Sequence, residues 1–173
     1  MNNIPTGIDP VIPIVILLFN FILYVGITWI VFGVLPSISD SFYYWHRRIG
    51  FGHIFTIFCF ILAIPLVMLA DIMPEDFQWI AFLSGAGFGF VGAACLIEDP
   101  EVMKVHGAAA SIGIVMSLLI VGVGLGGWYW LTVIVSLLIA GALEKWGDNN
   151  KIWWIEIDSF LTVIGSLVFH FIL

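Results

Sequence analysis

The chain has 173 residues, 62% of them hydrophobic and only 10% charged, and a mean hydropathy of +1.15. A soluble domain is roughly half apolar and about a quarter charged, so a soluble globular protein is excluded, and an all-α integral membrane bundle is expected as one transmembrane domain over residues 1–173. The formal charge of -7 comes from a few loop groups and gathers no basic surface for nucleic acid.

The N-terminal MNNIPTGIDPVIP has no Lys or Arg and leads into an apolar run too long for a signal-peptide core, so an uncleaved first span is expected. Spans are expected near residues 11–34, 51–70, 78–97, 105–123, 128–143 and 152–173. Pro36 lies just beyond the first, where a helix must stop, and Pro65 is a candidate kink in the second. The apolar run from Val105 to Leu143 is nearly twice the roughly 20 residues needed to cross. It must turn, and the Gly124, Gly126, Gly127 cluster before Trp128, Tyr129 and Trp130 is the expected place.

Topology follows from the basic residues. Arg47, Arg48, Lys104, Lys145 and Lys151 all fall in the first, third or fifth loop. With six spans these loops share one face, which the positive-inside rule makes cytoplasmic, in a bacterial-type cytoplasmic membrane with both termini outside.

The third span contains Gly87, Gly89 and Gly92, which match the dinucleotide-binding glycine pattern literally but lack its strand-turn-helix context. Close helix packing suits Ser84, Gly85, Gly89 and Ala93 better, as it does Gly107, Ala110, Ser111 and Gly113 in the fourth span. Cys59 and Cys95 fall about 12 Å and about 4 Å in from the same face by helical rise, so two free, lipid-buried thiols are expected.

The polar inventory centres on LPSISDSFYYWHRRIGFGH, residues Leu35 to His53. Of the 12 acidic residues, Asp9, Asp71, Glu75 and Asp76 lie on the outer side and the rest on the inner, where Glu98, Asp99, Glu101, Glu144 and Asp148 read as solvated loop groups. The groups that must enter the membrane are Asp40, His53, His106, Glu156 and Asp158, all near helix ends on one face. Such groups usually face the bundle interior or a water-filled cavity. Imidazole and carboxylate form the ligand set of a zinc-type site, with His106 and His53 as ligands. Ser39 or Ser37 would then donate a hydrogen bond, and Asp40 or Glu156 would act as general base. Equally, the histidines can meet headgroups, Glu156 can pair with an arginine, and Asp40 can cap the next helix. An unbroken helix from Asp40 to His53 would hold the two about 20 Å apart, so a shared site requires a break at Gly50 to Gly52. His170, in Ser166-x-x-x-His170, reads as an interfacial side chain on the outer side.

At SISDSFYY the chain resembles small polytopic membrane proteins that carry a Ser-Ile-Ser element after their first span, with His106-Gly107-Ala108-Ala109 and KIWWIE ending in Glu156 as later matches. It is similar to the FRAG/DRAM-like proteins, whose Pro-x-Ile-Ser-Asp element follows the first span, and distantly to the CREST membrane hydrolases with their Ser, Asp and three-His zinc site. These resemblances imply a multi-span helical fold over the whole chain. CREST hydrolases typically have seven spans and a paired His-x-x-x-His, whereas this chain has six and no such pair. FRAG/DRAM-like proteins place the Ile-Ser-Asp loop on the non-cytoplasmic side, opposite to the charge count.

Two main functional readings stand. One is a metal-dependent hydrolase of a lipid amide or ester that enters laterally. The other is a non-catalytic membrane protein that binds lipid or a partner helix, its polar residues serving as caps and interhelical pairs. A third, proton-coupled transport, calls for internal repeats and midplane ionisable groups, and the sequence shows neither.

Overall fold

A computed structural model describes residues 9–95 and 100–173, apart from the side chains of Pro100 and Met103. Residues 1–8, Glu98 and Asp99, and the expected end of the third span at 96–97 lie outside the described residues. The described residues form seven α-helices and no strand: α1 (Val11–Phe32), α2 (Ser41–Ile49), α3 (His53–Met68), α4 (Trp79–Ala94), α5 (Pro100–Leu119), α6 (Tyr129–Trp146) and α7 (Lys151–Phe171). Six helical stretches are long and apolar enough to cross a membrane: Val11–Phe32, His53–Ile72, Glu75–Ala94, Lys104–Leu125, Tyr129–Trp146 and Lys151–Phe171. This is an integral membrane protein. A helix satisfies its own backbone in lipid, and these lengths match the hydrocarbon thickness.

The breaks have local causes. α1 ends at Gly33, whose φ of 75 leaves the helix, and Pro36 lacks the N–H that a continuing helix needs. α2 ends at Gly50, in the left-handed conformation, and Gly52 then packs so closely on Phe42 that a Cβ there would lie 2.8 Å from the Phe42 carbonyl. α3 runs on through Pro65 to Met68 and tightens into a 3₁₀ turn over Leu69–Ile72. α5 loosens into a π-helical turn over Ile120–Leu125, and the chain reverses at Gly126 and Gly127, both with positive φ.

Packing runs from α1 to α3, α4, α5 and α7 and back to α1, so five spans close a ring. α6 stands outside it, packed on α7 and on the π-helical turn, and most of its side chains face lipid. The short α2 lies against α3. Phe160 of α7 fills the ring's middle, its centroid 5.1 Å from Phe21 of α1 and 5.4 Å from Phe88 of α4. Both seams of α4 are close. A Cβ on Gly92 would lie 2.8 Å from Cys59 Cβ, and one on Gly87 would lie 2.8 Å from the Gly113 backbone. Thr56 and Ser84 lock these seams by donating hydrogen bonds to the carbonyls of Gly92 and Gly113. Ser84, Gly85 and Gly113 thus serve packing, but of the other expected small residues Gly107 and Ser111 are exposed, and Gly89 faces a seam only through the edge of Phe60, 3.9 Å away.

Candidate functional site

The ring's polar groups collect at the face that bears α2, around the loop from Gly33 to Asp40. Leu35 and Ile38 anchor this loop, each only 2% exposed. Its backbone is tied to the first turns of α7 at two points. The Trp153 N–H donates to the Pro36 carbonyl at 3.1 Å, and the Ile38 N–H donates to Glu156 Oε2 at 2.6 Å. Trp153 and Glu156 are three residues apart, so one face of α7 makes both contacts.

Within the loop, Ser37 Oγ donates to Asp40 Oδ2 at 3.0 Å and accepts from the Asp40 N–H at 3.1 Å. Because the Ser37 proton is used on Asp40, Ser39 donates to Ser37, at 2.9 Å. Ser41 donates to the Ile38 carbonyl, and Tyr24 of α1 donates to Ser41. The Asp40 side chain makes no capping bond to α2, since its carboxylate is engaged by Ser37 instead. Glu156 pairs with no arginine: the ion pairs among the described residues are Lys104–Glu101 and Lys151–Glu144, both at the surface.

His106 is 6% exposed, with Nδ1 3.7 Å from Cys95 Sγ. The break at Gly50 to Gly52 is present, yet it does not bring His53 into this group. His53 is exposed, its ring against Phe51 at 5.3 Å and Phe42 at 6.3 Å. Among the described residues no three of His, Cys, Asp and Glu stand close enough to hold one metal ion. His106 and His53, the expected ligands, have separate surroundings, one packed beside Cys95 and the other exposed against Phe51 and Phe42. Of the expected set, Ser39 and Asp40 are joined through Ser37, Glu156 holds the same loop at Ile38, and His106 lies beside Cys95. Asp158 is elsewhere, accepting from Ser136 Oγ at 2.6 Å across the α6–α7 seam. His170 lies at the opposite face with Nδ1 3.1 Å from the Tyr129 hydroxyl. Both cysteines are free and buried within the bundle.

Two hollows adjoin this group. The inner one, lined by Ser39, Glu156, Cys59, Val91 and Phe160 among others, offers 20 Å³, room for about one water molecule. The second opens laterally between α1 and α3 beneath Trp45 of α2 and measures 260 Å³. Leu23, Ile27, Ile54, Ile57 and Ile61 form its mouth, and Asn20, Tyr24 and Phe58 form its back. Tyr24 stacks on Phe58 at 4.2 Å, and Phe58 also lines the inner hollow, so this stack is the partition between them.

One set of functional side chains escaped the sequence reading. Asn20, Tyr24 and Thr28, spaced by four in an otherwise apolar span, form one buried stripe on α1. Asn20 donates to the Phe58 carbonyl at 3.1 Å, Tyr24 reaches the loop through Ser41, and Thr28 accepts from Trp45 Nε1 at 3.3 Å. That spacing was the available signal.

Comparison with protein-family models, with curated proteins and with solved structures finds no match.

Proposed function

We propose that this protein is a non-catalytic membrane protein that binds lipid, holding one acyl chain in the lateral cleft between α1 and α3. The observation that carries the reading is the contrast between the two hollows. The cleft, at 260 Å³, is just below the roughly 300–1,000 Å³ typical of small-molecule sites and suits a single hydrocarbon chain. Its mouth consists of side chains already exposed to the bilayer, with Leu23 at 48% and Ile57 at 49% exposure. The side chains of Ser37, Ser39 and Asp40 are meanwhile bonded to one another, and the loop is held to α7 by Glu156 through the Ile38 N–H, with Ser41 beside it bonded to Tyr24 of α1. By the positive-inside argument the α2 face is cytoplasmic, in a bacterial-type cytoplasmic membrane.

Lipid extracted from protein purified in a mild detergent tests the reading. About one molecule retained per chain after extended washing is the expected result. Lipid falling to the level of a membrane protein without a cleft would overturn it.

A second reading, hydrolysis of a lipid amide or ester, draws on one specific feature. The Ser39 hydroxyl borders the inner hollow and its proton is directed through Ser37 to the Asp40 carboxylate, so a base stands two hydrogen bonds from a candidate nucleophile. The hollow's size requires the Tyr24–Phe58 partition to move before a scissile bond could reach Ser39. Under this reading Ser39→Ala abolishes turnover of a lipid ester supplied in micelles and leaves the thermal midpoint unchanged. Turnover equal to wild type excludes Ser39 as the nucleophile, and metal analysis of the same preparation tests the zinc requirement.

A further inference from the structure

We infer that the lateral cleft selects an anionic phospholipid from the leaflet on the α2 face, with the phosphate on Arg48 and one acyl chain along Leu23, Ile27, Ile57 and Ile61. This rests on the lipid-binding reading above and adds the headgroup. Three observations support it.

First, the cleft has the position and depth of one leaflet's chain. It begins under Trp45 and Ile54 at the interface and ends at Ile61, eight residues into α3. At the helical rise this is about 12 Å, against roughly 15 Å for half the hydrocarbon core.

Second, a cationic group, Arg48, stands at its rim. Trp45 roofs the cleft, and Arg48 follows it by one turn on α2. Both meet Phe32 at the end of α1: the Trp45 ring lies 4.8 Å from the Phe32 ring, and the Arg48 guanidinium carbon lies 5.9 Å from it. Contact with Phe32 holds the guanidinium over the end of α1, beside the cleft.

Third, the arginines of α2 have no carboxylate partner among the described residues. Lys104 and Lys151, by contrast, bond Glu101 and Glu144. Arg47 and Arg48 are exposed and, among the described residues, form no ion pair. α2 carries His46, Arg47 and Arg48 in its last turn and no acidic residue, whereas on the same face the loop from Glu98 to Lys104 is net acidic and the loop from Glu144 to Lys151 is balanced. An anionic headgroup is therefore attracted beside the cleft more than elsewhere on the face. Arginine suits a phosphate because its planar fork can donate two parallel hydrogen bonds.

The experiment is native mass spectrometry of the full chain with equimolar phosphatidylglycerol and phosphatidylcholine of identical chains, on wild type, Arg47→Gln/Arg48→Gln and Ile57→Trp. Leu23→Trp on the facing helix stands in if Ile57→Trp does not elute as a folded species. Wild type is expected to enrich phosphatidylglycerol about fivefold, the effect of one cation at the membrane surface. The double variant is expected to bind as much total lipid as wild type without preference. The tryptophan variant is expected to lose both lipids, because its ring fills the cleft. A wild type with no preference, or a preference that survives the double substitution, overturns the headgroup inference and leaves the lipid reading intact. Undiminished binding of both lipids in the tryptophan variant overturns the lipid reading itself.

Discussion

α3 has two seams, built from opposite principles. Toward α4 it presents Thr56, Cys59, Ala63 and Val67 to the glycines of its neighbour, and the two backbones meet with no room for a Cβ at Gly85 or Gly92. Toward α1 it presents Ile54, Ile57, Phe58 and Ile61 to Asn20, Leu23, Tyr24 and Ile27, and a 260 Å³ recess is left between them. Lipid tails are as apolar as these side chains, so no hydrophobic force closes either seam. Association within the bilayer depends on packing and interhelical hydrogen bonds. Glycine supplies packing on one side. On the other, bulky branched residues hold the helices apart at their edges, and the polar stripe of α1 ties them at the back.

The largest effect should therefore come from adding volume to the closed seam. In Gly92→Leu the new Cβ would meet Cys59 Cβ at 2.8 Å and the Thr56 carbonyl at 3.2 Å, neither of which is a flexible side-chain tip. A loss of about 3 kcal/mol or more is expected, at the upper end of overpacking costs, read as a lower thermal midpoint or loss of the monodisperse peak in detergent. Ile57→Ala, on the other face of the same helix, should cost far less, because Ile57 is 49% exposed. Equal losses in the two variants would mean that the seams do not differ in closeness.

Next in size is the tie from loop to α7. Glu156→Ala leaves the Ile38 N–H without its acceptor, at an expected cost of about 1–3 kcal/mol. Glu156→Gln keeps a carbonyl oxygen in place and should recover most of the loss. A catalytic carboxylate would behave differently, since glutamine would preserve stability and abolish activity. Measuring both midpoint and lipid turnover in the two variants separates a tether from a base.

The closed seams were far more legible than the open one. Spans, the Gly126–Gly127 reversal and the small-residue packing of α4 and α5 could be read because each rests on local composition: apolar length, positive-φ glycine, or residues too small to separate helices. That Asp40 and Glu156 belong to one end of the bundle followed from a count of helix ends on one face, which requires topology alone. What the groups do was hidden. The partner of Glu156 is a main-chain N–H 118 residues away, and a main-chain donor leaves no mark in sequence. The direction His53 takes was hidden for a similar reason, because a glycine break permits a bend without setting its direction. The Asn20, Tyr24, Thr28 stripe was visible as a spacing of four but was lost among apolar neighbours, and with it went the cleft.

Third in size is the middle of that stripe. Tyr24→Phe keeps the ring stack on Phe58 and removes only the hydroxyl that donates to Ser41. Ser41 still donates to the Ile38 carbonyl, so no buried donor is orphaned, and the cost should be about 1 kcal/mol. If the stack alone forms the partition between the two hollows, bound lipid should be unchanged in this variant. A rise in bound lipid would mean that the hydroxyl holds the partition shut.

The smallest effect is expected where the stripe reaches α2. Trp45→Phe removes an indole N–H donated to Thr28 over 3.3 Å and retains an aromatic ring beside Phe32. Interhelical hydrogen bonds of this kind average about 0.6 kcal/mol within a membrane, which shifts a thermal midpoint only slightly. Its value lies in what it separates. Arg48 is held against the same Phe32 ring from the same helix, so loosening α2 at Trp45 should weaken discrimination between phosphatidylglycerol and phosphatidylcholine while the charge is unaltered. Discrimination that depends on charge alone would survive the substitution, and the arginines would then act as a diffuse field. Discrimination that falls together with the Trp45 bond would mean that the rim of the open seam is a positioned site, as ordered in its way as the closed seam across α3.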